Sequence, residues 1–185
     1  MSWEKWVGVK VDKKIIENRL RNALNRLYHF DSSIVSNNSN ERSITHRLAV
    51  HLGTLFFEDL HVDVEYNRNI GDRKQISWIA GGLDKEEVIS GRKSVYPDII
   101  VHKRDSSKNL HVVEVKKMGA SERLEQYDIE KLNGYFREET LKYENAAFIK
   151  ISDPNMRPKK EFLLRTRDEW LANGTSADFW SWSSR

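Results

Sequence analysis

No cysteine occurs among the 185 residues. That excludes a disulfide framework, a thiolate metal centre and a cysteine nucleophile. Proline is scarce, with 3 residues, and glycine modest, with 9, so collagen-like and linker-dominated chains are ruled out. No apolar run approaches the roughly 18 residues that would span a bilayer, and no membrane segment is expected. The start, Met1-Ser2-Trp3-Glu4-Lys5-Trp6, lacks the apolar stretch of a secretory leader, which makes a cytoplasmic location the expectation. The 6 histidines are scattered, without the grouping that a transition-metal site needs. No repeat of solenoid period is found. Neither sign of charge dominates: 31 basic and 28 acidic residues leave a net of +3. Such a balance permits a nucleic-acid partner without arguing for one.

What is present is a folded composition, 38% hydrophobic and 32% charged. The length suits one domain. The expected layout is a single domain over 1–185, with an N-terminal helical extension (about 1–30) and an aromatic C-terminal tail (about 156–185).

Hydrophobic periodicity places the elements. Ile15, Ile16, Leu20, Leu24 and Leu27 recur at helical spacing over residues 11–30. The polar stretch 31–40 reads as a loop. Asn40 then suits an N-cap, and Ile44, Leu48, Leu52 and Leu55 form the buried stripe of a second helix. Three residues before Ile44 stands Glu41, at the head of that inward-facing stripe. Its plainest role there is to compensate the helix dipole. Residues 60–67 alternate as a strand, with Val62, Val64 and Tyr66 on one face. A short strand over 76–80 and an exposed charged loop over 84–93 follow. The runs 96–102 and 110–116 flank a polar turn and read as a β-hairpin. Ser121 is a candidate N-cap for a helix reaching about Lys142, striped by Ile129, Leu132 and Phe136. A strand over 145–152 and a short helix over 161–172 complete the chain, before the aromatic residues Phe179, Trp180 and Trp182. The order predicts an α/β fold, a mixed central sheet flanked by helices.

The chemistry concentrates on the hairpin. Glu114 and Lys116 are two apart on a strand and share a face, while Val113 and Val115 point the other way. Asp98 opens the partner strand, so two carboxylates and an ammonium group are expected to converge at one end of the sheet. Paired carboxylates suit Mg²⁺, which prefers oxygen ligands and keeps several waters. A cation there polarises a phosphodiester and acidifies a bound water. A lysine beside it orients that water or stabilises charge on phosphate. The plainer reading of Glu114 and Lys116 is a cross-strand charge ladder, which leaves Asp98 unexplained. Asp128 and Lys131, one helical turn apart, read as a surface ion pair more readily than as active-site residues, with Lys131 kept as an alternative site residue. Arg47 is open to contact with phosphate, and the tail tryptophans read as packing or a partner surface.

Tyr96-Pro97-Asp98, a hairpin turn and then Glu114-Val115-Lys116 resemble the bipartite signature of the PD-(D/E)XK nuclease superfamily. Its members include type II restriction enzymes, resolvases and many repair and phage nucleases. Ile99-Ile100-Val101 behind the aspartate and Val112-Val113 before the glutamate match the family's apolar strands. The resemblance covers roughly residues 40–150. It implies a restriction-endonuclease-like fold and metal-dependent hydrolysis of phosphodiester bonds, with Mg²⁺ or Mn²⁺ as cofactor. Carried over, Asp98 and Glu114 are metal ligands, Lys116 the catalytic lysine and Glu41 a further ligand or ligand-orienting group. Nucleic acid, DNA above all, is the implied partner. Many nucleases of this fold pair to cut both strands, which leaves a homodimer open. The stretch 67–95 is longer than the family pattern requires. Two competing readings are a catalytically silent member that binds nucleic acid or protein, and an unrelated α/β interaction domain with a fortuitous acidic pair.

Overall fold

The computed structural model describes residues 11–37, 39–56, 60–69, 72–78, 91–157, 161–174, 176 and 179–182. The expected features at residues 79–90 and 158–160 lie outside these.

The first helix, α1 (Lys13–Phe30), is capped by Asp12, whose carboxylate accepts from the Lys14 N–H. Its stripe buries Ile16, Leu20, Leu24 and Leu27 completely, at about 2 kcal/mol for each side chain. The expected loop after it contains one helical turn, α2 (Ser32–Ser36), which buries Val35. Serine and asparagine masked that turn in the sequence. Asn40 caps α3 (Glu41–Gly53) through a 2.8 Å bond from the Ser43 N–H.

Five strands form the main sheet: β1 (His61–Val64), β6 (Ile99–His102), β7 (Asn109–Lys117), β8 (Asn145–Ile151) and β9 (Phe162–Thr166), in the order β1-β6-β7-β8-β9. Neighbours are antiparallel except β7 and β8, which are parallel. A parallel pair needs a crossover connection, supplied here by α4 (Glu122–Arg137). Two small ribbons lie between β1 and β6 in sequence: β2 (Arg68–Asn69) with β3 (Asp72–Arg73), and β4 (Gln75–Trp78) with β5 (Gly91–Ser94). The last helix is α5 (Arg167–Asn173).

The sheet separates two apolar layers. Val101, Val113 and Val115 face the layer built by α1, α2 and α3. Ile100 and Val112 face the layer built by α4, Ile76 of β4 and the tail residues Phe179 and Trp180. The tail therefore packs, and the Trp180 indole N–H donates to Asn133 at 2.9 Å. Gly134 lets α4 approach β4 closely: a Cβ there would stand 2.5 Å from Ile76 Cδ1.

Several boundaries differ from expectation, among them residues 91–93, expected in an exposed loop and found in β5, and 96–98, which precede the start of β6. β1 stops at Val64 because Glu65 takes a left-handed φ of 52°, and Tyr66 then packs in the opposite layer from Val62 and Val64. α4 ends at Arg137, not Lys142, since Glu138 is extended and Lys142 has a φ of 48°. Residues 162–166 are strand, not helix. Phe162 and Leu164 face one layer and Leu163 the other, a period of two that a short apolar run conceals. Helix begins only at Arg167, behind a capping box of Thr166 and Glu169.

Candidate active site

The β6–β7 register sets Ile99 opposite Val113. Pro97 has no N–H for the ladder, and regular pairing starts after Asp98. The Asp98 side chain takes over as acceptor, receiving the Val115 N–H at 2.8 Å, while its backbone C=O accepts from the Glu65 N–H at 3.3 Å. This bond fixes the aspartate at the sheet end where Glu114 and Lys116 emerge. Alternation on β7 puts Glu114 on the α4 side, where it is completely buried.

Glu41 reaches the same place from the first turn of α3. Its carboxylate accepts from Lys116 Nζ at 2.8 Å and from the Lys117 N–H at 3.3 Å. Lys116 Nζ also lies 2.9 Å from Asp128 Oδ2. Asp98, Glu114, Lys116 and Glu41 are thus brought together as the sequence suggested.

Asp128 and Lys131 are not a surface pair. They are 3% and 8% exposed and stand 4.0 Å apart. Lys131 Nζ donates to Glu114 Oε2 at 2.6 Å and to the Tyr96 carbonyl at 3.2 Å. The Tyr135 hydroxyl donates to Glu114 Oε1 at 3.4 Å. Asp128, Lys131 and Tyr135 sit at i, i+3 and i+7, beside the stripe of Leu132 and Phe136. That spacing was the available signal: it lays all three on one face of α4. A charged pair on the flank of a buried stripe looks like an ordinary rim until the sheet opposite is known to carry Glu114.

Oxygens of Asp98, Glu114 and Asp128 lie within 4.8 Å of one another, whereas Glu41 stands outside this group. Two oxygens on opposite sides of one Mg²⁺ are about 4.2 Å apart, twice its bond length. Small side-chain movements therefore let the three share an ion, and the all-oxygen donor set suits Mg²⁺ or Mn²⁺.

The charges reinforce this fit. Among the described residues, the ammonium groups of Lys116 and Lys131 face Glu41, Asp98, Glu114 and Asp128. Four carboxylates against two ammonium groups leave two formal negative charges, the complement of one divalent ion. Burial pushes the Asp98 carboxyl up, partly offset by Lys131 and by the Val115 N–H. Asp128 is pushed up to about 6 by burial against the pull of Lys131 and Lys116. Glu114 is raised well above the usual carboxylate range, again by burial, which Lys131 opposes. Both lysines are raised as well, which keeps them charged. Burial disfavours their charge, but Asp128 and Glu41 hold the proton on Lys116, and Glu114, Asp98 and Asp128 hold it on Lys131.

A cleft of about 250 Å³ is lined by Asp98 and Glu41 of this network together with Arg42, Thr45, Glu65 and Tyr96. Arg42 and Glu65 pair across it at 2.9 Å. Tyr96 is exposed, beside the site. Arg47, open to phosphate contact in the sequence, is turned away. Its guanidinium donates to Asp31 at 2.9 and 3.1 Å, and His51 joins the same carboxylate. His46 is exposed.

No protein-family model, curated protein or solved structure matches this chain significantly.

Proposed function

We propose that this protein is a metal-dependent nuclease that hydrolyses phosphodiester bonds in nucleic acid, DNA in particular, on a restriction-endonuclease-like fold. The observation that carries the reading is the meeting of Asp98, Glu114 and Asp128 with the Lys116 ammonium at one sheet end. The order helix, strand, hairpin, crossover helix, strand agrees with the family resemblance of the two motifs. The arrangement fits Mg²⁺ or Mn²⁺ as cofactor, with Asp98, Glu114 and Asp128 as the ligands. Such an ion supplies polarisation of the phosphodiester and an acidified water.

The chain's own residues divide the remaining work. The Val115 N–H orients Asp98. Lys116 keeps its proton, so it acts as a fixed cation that orients the attacking water or meets charge on the phosphate, not as a base. Glu41 positions Lys116 through a 2.8 Å bond and takes no direct part in holding the ion. The cleft between α3, β1 and the Tyr96 segment is the route for the scissile phosphate.

One observation favours the silent alternative. Both Glu114 oxygens already have donors, Lys131 and Tyr135. Incubation with duplex, single-stranded and branched DNA, with Mg²⁺ or with chelator, decides between the two readings. Cleavage of at least one form that needs Mg²⁺ supports the nuclease. Binding without cleavage, and no affinity for divalent ions, supports the binding module.

A further inference from the structure

We propose that Arg42 binds a backbone phosphate of the nucleic-acid strand, and that Glu65 holds its place until the strand arrives: the carboxylate occupies the guanidinium in the free protein and is exchanged for a phosphate in the cleft. This rests on the reading of nucleic acid as the partner, and not on the metal centre.

A polyanion needs a cation where it enters. Among the described residues that line the cleft, Glu41, Glu65 and Asp98 bear carboxyl groups, and Arg42 alone is basic. The neighbouring cations are engaged: Lys116 between Glu41 and Asp128, Lys131 on Glu114 and Arg47 on Asp31. Arg42 stands in the first turn of α3, next to Glu41. The planar fork of its guanidinium matches phosphate oxygens as well as it matches a carboxylate. One group therefore replaces the other without any rearrangement of the arginine.

The backbone places the carboxylate. Glu65 takes a left-handed φ of 52°, and its N–H donates to the Asp98 C=O at 3.3 Å. A non-glycine residue keeps such a conformation where its surroundings hold it. The carboxylate that meets Arg42 Nε at 2.9 Å is thus tied to the sheet end that carries Asp98. The pair itself is weak. The Arg42 side chain is 84% exposed and that of Glu65 44%, so water and salt screen the attraction. A strand that brings several phosphates displaces a single screened carboxylate. An ordinary surface pair has no reason to span a cleft, whereas this one closes over the cleft that Asp98 lines.

The test is a double-mutant cycle read by fluorescence anisotropy. Labelled single-stranded and duplex DNA are titrated with wild type, Arg42→Ala, Glu65→Gln and the double variant, in Ca²⁺ and over a range of salt. Both side chains lie at the surface, and replacing them leaves the core intact. Arg42→Ala should bind about tenfold more weakly, and the slope of log affinity against log salt should fall by about one, the mark of one lost phosphate contact. Glu65→Gln should bind more tightly than wild type. That gain should be about threefold larger with Arg42 present than in the Arg42→Ala background, because only with Arg42 present is an exposed ion pair given up on binding. Arg42→Ala with wild-type affinity and salt slope overturns the proposal and leaves the nucleic-acid reading standing. An equal gain from Glu65→Gln in both backgrounds also overturns it, since Glu65 is then a plain source of repulsion. Absence of binding to either DNA by wild type and by Glu65→Gln overturns the nucleic-acid reading, and the role of Arg42 with it.

Discussion

Glu114→Gln removes one charge from the centre of the site and little else. Glutamine has the same length, its carbonyl can accept from Lys131, and its amide can donate to the Tyr135 oxygen. The variant should fold. Lys131 loses an ion-pair partner at 2.6 Å but keeps the Tyr96 carbonyl, and Asp128 at 4.0 Å. Breaking a buried pair costs about 3–5 kcal/mol. Relief of the buried carboxylate offsets part of that, so a net loss of about 1–3 kcal/mol is expected. Metal affinity should suffer more clearly. A divalent ion and one carboxylate charge about 4 Å apart attract by about 8 kcal/mol at an effective dielectric constant near 20. Competition from Lys131 and the preference of buried Glu114 for its proton cancel part of this. If only about 3 kcal/mol survives, the dissociation constant rises about 100-fold. Calorimetric titration with Mn²⁺, beside far-ultraviolet circular dichroism to confirm the fold, reads the effect. A folded Glu114→Gln that binds Mn²⁺ within threefold of wild type would refute the assignment of Glu114 as a ligand.

Three further outcomes are expected. Lys116→Met should abolish cleavage while Mn²⁺ binding is kept or tightened, because a positive charge 2.9 Å from Asp128 is lost; weaker binding would mean that Lys116 helps to build the metal site. Gly134→Ala should lower stability by about 1–2 kcal/mol, since the overlap with Ile76 exceeds the helix-propensity gain. Adding Ile76→Val removes the Cδ1 atom and should recover most of that loss in urea melts. His111 is completely buried, and burial lowers its pKa to about 4 against the opposing pull of the Asn145 backbone. The unfolded chain protonates this histidine near pH 6.5, so it binds more protons than the native state between pH 6.5 and 4. The stabilisation is complete above 6.5 and is lost as pH falls toward 4, by up to about 3 kcal/mol. A His111→Leu variant should lose that part of the pH dependence of its urea midpoint, and an unchanged profile would refute the assignment.

Local signals carried much of the architecture. Asn40 and the Ile44, Leu48, Leu52 stripe locate α3 because cap and stripe are both short-range features. The two apolar strands around a polar turn locate the hairpin in the same way, and with it the meeting of Asp98 and Glu114. Glu41 was legible because it heads a buried stripe. Legibility ended where the partner lay far away in sequence. Val35 is buried only because α1 and α3 close over it. Leu163 and its neighbours alternate between two layers that exist only once the sheet has formed. Asp128 and Lys131 look like rim residues on an isolated helix, and their burial follows from the crossover that lays α4 over Glu114. A third of the charge network therefore became visible only with the topology.

The central claim is that Asp98, Glu114 and Asp128 hold one divalent ion. Anomalous scattering from a crystal of the protein soaked in Mn²⁺ tests it most directly. One strong peak is expected, bonded to oxygens of these three side chains, with Lys116 Nζ close by and Glu41 outside the coordination shell. No peak there at saturating Mn²⁺, or a peak bound only by other carboxylates, would contradict it.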